Sequence, residues 1–169
     1  MIRIIIKIYS FWLFSISAGK MRANCVPFLE ITCFPNHVGK GCFFQKNTWI
    51  NKTNDSYLSI GDRCYFGHGC QINAYDNVKI GDDVMISDNV YISDADHVFE
   101  ETSVPIKDQG IKTQPVVIAD GVWIGRNAII MPGVFIGGNS VIGANSVVNC
   151  DVQAGVVFAG APARMIRKI

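Results

Sequence analysis

Charge is scarce in this chain, and neither sign is in excess: 17% of residues are charged, and 15 basic against 14 acidic residues leave a net +1. With no basic stripe and no acidic tail, nucleic acid is a poor partner. Paired cysteine motifs are missing too. Cys25, Cys33, Cys42, Cys64, Cys70 and Cys150 form no CxxC, which argues against a zinc knuckle or a thioredoxin-type centre. The chain also lacks an apolar run of membrane-spanning length near its start, because Lys7 interrupts it. Met1 to Ala18 reads first as a helix packed on the domain or lying on a membrane surface. A signal peptide is the second reading (basic Arg3 and Lys7, apolar Ile8 to Ile16, small Ser17 and Ala18) and a membrane anchor the third. The 169 residues are enough for one ordinary domain, and 49% are hydrophobic, which suits a chain that buries much of its surface, including against copies of itself.

What the chain has instead is a period of six. Large apolar residues fall at Ile60, Phe66 and Ile72, then at Ile80, Ile86 and Ile92. They resume at Ile118, Ile124, Ile130, Ile136, Ile142 and Val148, with Ala154 in the next place. Small or β-branched residues stand two places earlier, as at Cys64, Cys70, Val84, Val122, Ala128 and Ser140. Six fits neither the 3.6 of a helix nor the 2 of a simple strand. It fits a three-sided prism of short strands and tight corners, in which three hexads make one coil. Each inward aliphatic then stacks on its counterpart 18 residues away, about 4.8 Å along the axis. Gly, Asn and Asp fill the corners, where the backbone often needs positive φ. The small inward positions account for Cys64 and Cys70 as buried free thiols rather than ligands.

Weaker hexads at Val38, Phe44 and Ile50 precede the clear ones, and Asn51 to Tyr57 reads as a small loop. The spacing predicts an all-β domain over 31–169 of about five coils, preceded by the apolar segment 1–30. The pattern breaks over 98–117, a polar stretch with Pro105, Gly110 and Pro115, predicted as a structureless protruding loop of functional character. Residues 159–169 are predicted to cap the last coil as a short strand or helix.

Three segments carry a resemblance: IGDDVMISDNVYISDADH (80–97), VVIADGVWIGRNAIIMPGVFIGGNSVIGANSVV (116–148) and AGAPARMIRKI (159–169). Over roughly 58–169 the chain resembles the hexapeptide-repeat acyltransferases, in particular the galactoside and maltose O-acetyltransferases and the smaller acetyltransferases of surface-polysaccharide gene clusters. The resemblance implies a left-handed parallel β-helix, an exception to the usual right-handed crossover. It also implies a homotrimer with each active site between neighbouring prisms, and acetyl-CoA as cosubstrate. That coenzyme is made in the cytosol, so a cytoplasmic protein is expected, with peripheral membrane contact through residues 1–18. The N-terminal helical domain of the galactoside and maltose enzymes is absent or reduced, which turns the expectation from small free sugars to a polysaccharide unit or its lipid-linked precursor.

The same resemblance implies the site. His97 stands where the family has its catalytic base, five residues after Ile92 and at the mouth of the loop. A neutral imidazole can take the proton of a hydroxyl as it attacks a thioester. Asp94 and Asp96 are its nearest carboxylates and are expected to orient the ring or meet the acceptor, and His68 is placed on the acceptor side. Trp123 matches the family's tryptophan against the pantetheine arm, and Ala144 a small residue beneath that arm. Arg164 and Arg167 match bases that meet the coenzyme phosphates. Arg126 and Asn149 stand where the galactoside enzymes have serine and threonine, so both are candidate coenzyme contacts. No metal is expected. A zinc hydratase on the same prism would need clustered histidines, and His37, His68 and His97 share no hexad. Two further readings stay open: N-acetylation of a nucleotide-linked amino sugar, which the same base would serve, and a non-catalytic scaffold.

Overall fold

The computed structural model describes residues 30–31 and 35–169. The reading of Met1 to Ala18 lies outside the described residues, as do Cys25 and Cys33.

Three parallel walls enclose the core. Wall 1 holds β2 (His37–Val38), β5 (Tyr57–Ile60), β8 (Asn77–Ile80), β13 (Val116–Ile118) and β16 (Phe135–Ile136). Wall 2 holds β3 (Phe43–Phe44), β6 (Tyr65–Phe66), β9 (Met85–Ile86), β14 (Trp123–Ile124), β17 (Val141–Ile142) and β19 (Val156–Gly160). Wall 3 holds β1 (Glu30–Ile31), β4 (Trp49–Lys52), β7 (Gln71–Ala74), β10 (Tyr91–Ser93), β15 (Ile129–Ile130) and β18 (Val147–Val148). The result is a left-handed parallel β-helix. Five coils run complete from β2 to β18, with partial coils at both ends.

Alternation drives this arrangement, since neighbouring residues of a strand face opposite sides. Tyr65 is exposed and Phe66 buried; Trp123 is exposed and Ile124 buried. Inward residues meet their counterparts in register, as in Phe66 with Ile86, Ile86 with Ile124, and Ile124 with Ile142. Phe44 and Phe66 stack with ring centroids 4.5 Å apart. The small inward thiols bond to carbonyls of the next coil: Cys42 Sγ to Gly61 O and Cys64 Sγ to Gly81 O, both at 3.0 Å, and Cys70 Sγ to Ser87 O at 3.1 Å. All three are free and buried, and burial pushes the Cys70 thiol up to about 11. Cys150 is free and exposed.

The structure departs from the hexad pattern in three places. The uniform spacing of 18 holds only late in the chain, as between Ile124 and Ile142. Ile60 pairs with Ile80 and Ile50 with Ile72, spacings of 20 and 22, because the corners from wall 3 to wall 1 are longer in the early coils. Ala154 is exposed, so it is not the next inward residue; Val152 and Val156 are buried on either side of it, and Ile142 pairs with Phe158 after only 16 positions. The stretch 98–117 is not structureless. β11 (Ala95–His97) pairs antiparallel with β12 (Ile111–Thr113), making a two-stranded arm. A short 3-10 turn at Ile106–Asp108 lies near its tip, and Gln109 Nε2 donates to Glu101 O and Val104 O at 2.7 Å each. The C-terminal cap is a strand, β20 (Ala163–Lys168), antiparallel to β19. Among the described residues no helix is long and apolar enough to cross a membrane.

Side chains satisfy the corners. Asp62 Oδ1 accepts the Lys40 N–H at 2.7 Å, Asp82 Oδ1 the Asp62 N–H at 2.8 Å, and Asp120 Oδ1 the Asp82 N–H at 2.8 Å. Asp94 does most. It is fully buried, and its carboxylate accepts the N–H groups of Tyr75 (2.8 Å), Asp76 (2.8 Å) and Asn77 (2.6 Å) in the preceding coil. Its own carbonyl accepts the Gln114 N–H at 2.8 Å, which closes the base of the arm.

Two stability outcomes follow. Ile124→Ala should lower the unfolding free energy by about 2–5 kcal/mol, the range for a large-to-small core change, while Ser59→Ala on the outer face of wall 1 should stay within about 0.5 kcal/mol. Asp94→Ala should cost roughly 3 kcal/mol by stranding three donors, with Asp94→Asn milder. Denaturant unfolding of the purified chain checks both.

Candidate functional site

The edge where wall 2 turns into wall 3 is a column of equivalent positions. The backbone bonds Gly69 N to Lys46 O, Asn89 N to His68 O, Asn127 N to Asp88 O and Asn145 N to Arg126 O repeat along it. Lys46, His68, Asp88, Arg126 and Ala144 therefore stand one above the other, coil by coil. Beside them Asn89, Asn127 and Asn145 each adopt φ of 56° to 58°. Their amides form a ladder, Asn89 Nδ2 to Asn127 Oδ1 at 3.3 Å and Asn127 Nδ2 to Asn145 Oδ1 at 3.0 Å. Three residues expected to serve the substrates, His68, Arg126 and Ala144, thus share one edge.

Trp123 lies just before this edge on wall 2. The residue is 44% exposed, and its indole Nε1 donates to Ser87 Oγ of the preceding coil at 3.1 Å. Along wall 2 its register row continues through Val141 and Val157 to Arg167 on β20. Arg164 pairs with Ala159, nearer the edge, and both arginines are exposed. Trp123, Arg126, Ala144, Arg164 and Arg167 so form one strip over the last coils. Coil packing keeps the strip shallow: a Cβ on Gly125 would sit 2.6 Å from the Ala144 N, so only glycine fits there.

His97 occupies the other edge of wall 3, where that wall turns into wall 1. It closes β11 opposite Ile111, with its side chain exposed. Its backbone N–H donates to Asp96 Oδ1 at 2.8 Å. Asp96 is exposed beside it. Asp94, three residues back, is turned inward to the corner of coil 2, away from the surface an acceptor would touch. Asn149 is exposed on His97's edge two coils on, not with the strip. Within one chain wall 3 therefore separates His97 and Asn149 from Trp123, Arg126, Ala144, Arg164, Arg167 and His68.

The arm carries its own polar clamp. Lys112 Nζ lies 2.9 Å from Glu100 Oε1 and 5.0 Å from the centre of the Phe99 ring. Lys112 holds the Glu100 carboxyl below its ordinary range. That pairing is present above the usual Glu range and is lost as pH falls through the lowered value. Phe99, Ile106 and Ile111 are exposed on the arm. Among the described residues no three His, Cys, Asp or Glu side chains are placed to hold a metal.

Two participants were not foreseen from sequence: Ser87, which fixes the tryptophan, and Asp88, whose Oδ1 lies 3.5 Å from His68 Nδ1. The signal was there in the pairing of Ile86 with Ile124 across the break, which sets Ser87 in the coil next to Trp123.

Two family models match the chain, Bacterial transferase hexapeptide (six repeats) over residues 115–150 and Hexapeptide repeat of succinyl-transferase over 57–94. The galactoside O-acetyltransferase of Escherichia coli (strain K12) is 39% identical over 130 residues, covering 73% of this chain and 62% of the relative. An Escherichia coli (strain K12) protein named for O-acetyl transfer in lipopolysaccharide biosynthesis is 35% identical over 148 residues, covering 75% of this chain and 76% of the relative. A hexapeptide-repeat acetyltransferase of Vibrio cholerae O1 biovar eltor, solved with acetyl-coenzyme A, superposes with a TM-score of 0.53 at 27% identity, over 93% of this chain and 75% of that one. The chain spans between 41% and 62% of the length of three curated relatives it matches. The repeat, the coil geometry and this similarity agree: the chain belongs to the hexapeptide-repeat acyltransferase family.

Proposed function

We propose that the protein is an acetyl-CoA-dependent O-acetyltransferase acting on a sugar hydroxyl, with His97 as the general base. The observation that carries this reading is the pairing of an exposed histidine on the arm with a strip of tryptophan, small residue and arginines on a neighbouring wall. Trp123 gives a flat apolar surface whose polar edge is already bonded to Ser87. Such an exposed indole is well suited to cover the thin arm of a coenzyme. Ala144 leaves that arm room, and the guanidinium groups of Arg126, Arg164 and Arg167 match phosphate geometry. Acetyl-CoA would supply the activated acyl group as a thioester.

In the reaction His97 accepts the hydroxyl proton as the acceptor oxygen attacks the thioester carbonyl. When the carbon–sulfur bond breaks, His97 returns that proton to the departing thiolate. Asp94 acts from behind by fixing the corner from which the arm springs, and Asp96, exposed and bonded to the His97 backbone N–H, is left for the acceptor. Since His97 and the strip stand at opposite edges of wall 3, a second copy has to bring its His97 edge to the strip. A three-fold closed ring does this for every protomer without leaving an open end. Asn149, on the His97 edge, then reaches the coenzyme from the adjoining protomer. The relative named for lipopolysaccharide biosynthesis supports a surface-polysaccharide unit as acceptor. Cytosolic synthesis of the coenzyme supports a cytoplasmic site of action.

His97→Ala should lower kcat by about 10²- to 10⁴-fold while coenzyme A binding, measured by calorimetry, is retained. Undiminished turnover in that variant sinks the assignment. Trp123→Ala should weaken coenzyme binding by up to about tenfold, from a lost contact of about 0.5–1.5 kcal/mol, without changing the preference among acceptors. A panel of sugar alcohols and amino sugars, followed by mass spectrometry, separates O- from N-transfer. Sedimentation equilibrium should give three chains per particle.

A further inference from the structure

Ser87 and Asp88 are consecutive in coil 3, and each holds a side chain on a different neighbouring coil. Ser87 Oγ accepts the Trp123 indole N–H one coil later at 3.1 Å. Asp88 reaches one coil earlier. Its Oδ1 accepts the His68 backbone N–H at 2.8 Å and stands 3.5 Å from Nδ1 of the same residue. The carboxylate is thus anchored by a bond that does not involve the ring, and Nδ1 is the ring nitrogen turned toward it. Both side chains lie at the solvent-facing edge, 55% and 42% accessible, so the core gains nothing from the pair.

We infer that Asp88 is a positioning residue that sets which nitrogen of His68 carries the proton. An ionised carboxylate only accepts hydrogen bonds, so it favours a proton on the nitrogen that faces it. With Nδ1 protonated, the neutral ring keeps a lone pair on Nε2, on its far side from Asp88. A lone pair there accepts a hydrogen bond, and a sugar hydroxyl donates one. His68 therefore recognises a hydroxyl of the acceptor that is held rather than acetylated, while His97 handles the reacting one. This rests on the reading of the His68 edge as the acceptor side. At 3.5 Å the pair is longer than a formed N–H···O bond, so the carboxylate acts on the ring through its charge, which favours the tautomer that turns an N–H toward it with or without substrate.

Nitrogen-15 NMR of the full chain tests the inference without any acceptor. The sequence has only three histidines, His37, His68 and His97, so their ring signals are assigned by replacing each with glutamine in turn. At a pH where the rings are neutral, His68 should be the Nδ1–H tautomer. Asp88→Ala should shift most of it to Nε2–H, the form an unrestrained histidine prefers. Asp88→Asn should keep Nδ1–H, because the amide oxygen also accepts. A wild-type His68 in the Nε2–H form overturns the inference whether or not the variants fold, and so does a tautomer unchanged in Asp88→Ala. With an active acceptor, Asp88→Ala should raise its KM about tenfold with kcat little changed. Loss of the proposed activity reading would show instead in His97→Ala, which leaves the His68 tautomer where it is.

Discussion

Each coil gives its backbone donors to the coil beside it and receives that coil's donors in return, so the molecule is held by a ladder that tolerates no slip. A shift of one residue in any wall would turn its whole inward set to solvent. Ile86, Ile124 and Ile142 cannot exchange places with Met85, Trp123 and Val141 without emptying the core. The outward positions are fixed by the same ladder. Trp123 is presented to solvent because Ile124 must be inside, and Arg167 falls in its row because β19 and β20 extend the same wall.

The corners bear the polar side of this arrangement. Aspartates at 62, 82 and 120 each reach into the adjacent coil for a backbone N–H. Asparagines at 89, 127 and 145 take the left-handed backbone and bond to one another. Asp94 completes the corner at Tyr75–Asn77 and at the same time roots the arm. A buried acceptor that satisfies three donors is held too firmly to move with substrate, which is why Asp94, three residues before His97, serves the scaffold.

Much of this was legible in the residues. The hexads from Ile60 to Ile92 and from Ile118 to Val148 gave the walls, because only one inward residue per wall has to be large. Coil length was harder, since the extra residues at 53–56 and 75–76 include no aliphatic side chain to mark them. The arm was unreadable as strand because β11 and β12 are exposed and polar, and their pairing depends on a turn between distant residues. Ala154 fitted the count but not the geometry. Of the site, His97 and Trp123 stood out by residue type and place. Asp88 did not, because its meaning comes from stacking on His68 twenty positions earlier.

The arm leaves and re-enters the prism at a single corner. The ladder is continuous across it: Ile92 meets Ile130 and Val78 meets Val116 as though nothing lay between. Excursions of very different length could be grafted at that seam without disturbing a single rung. Variation can therefore accumulate in one appendage while the column beneath it keeps every rung.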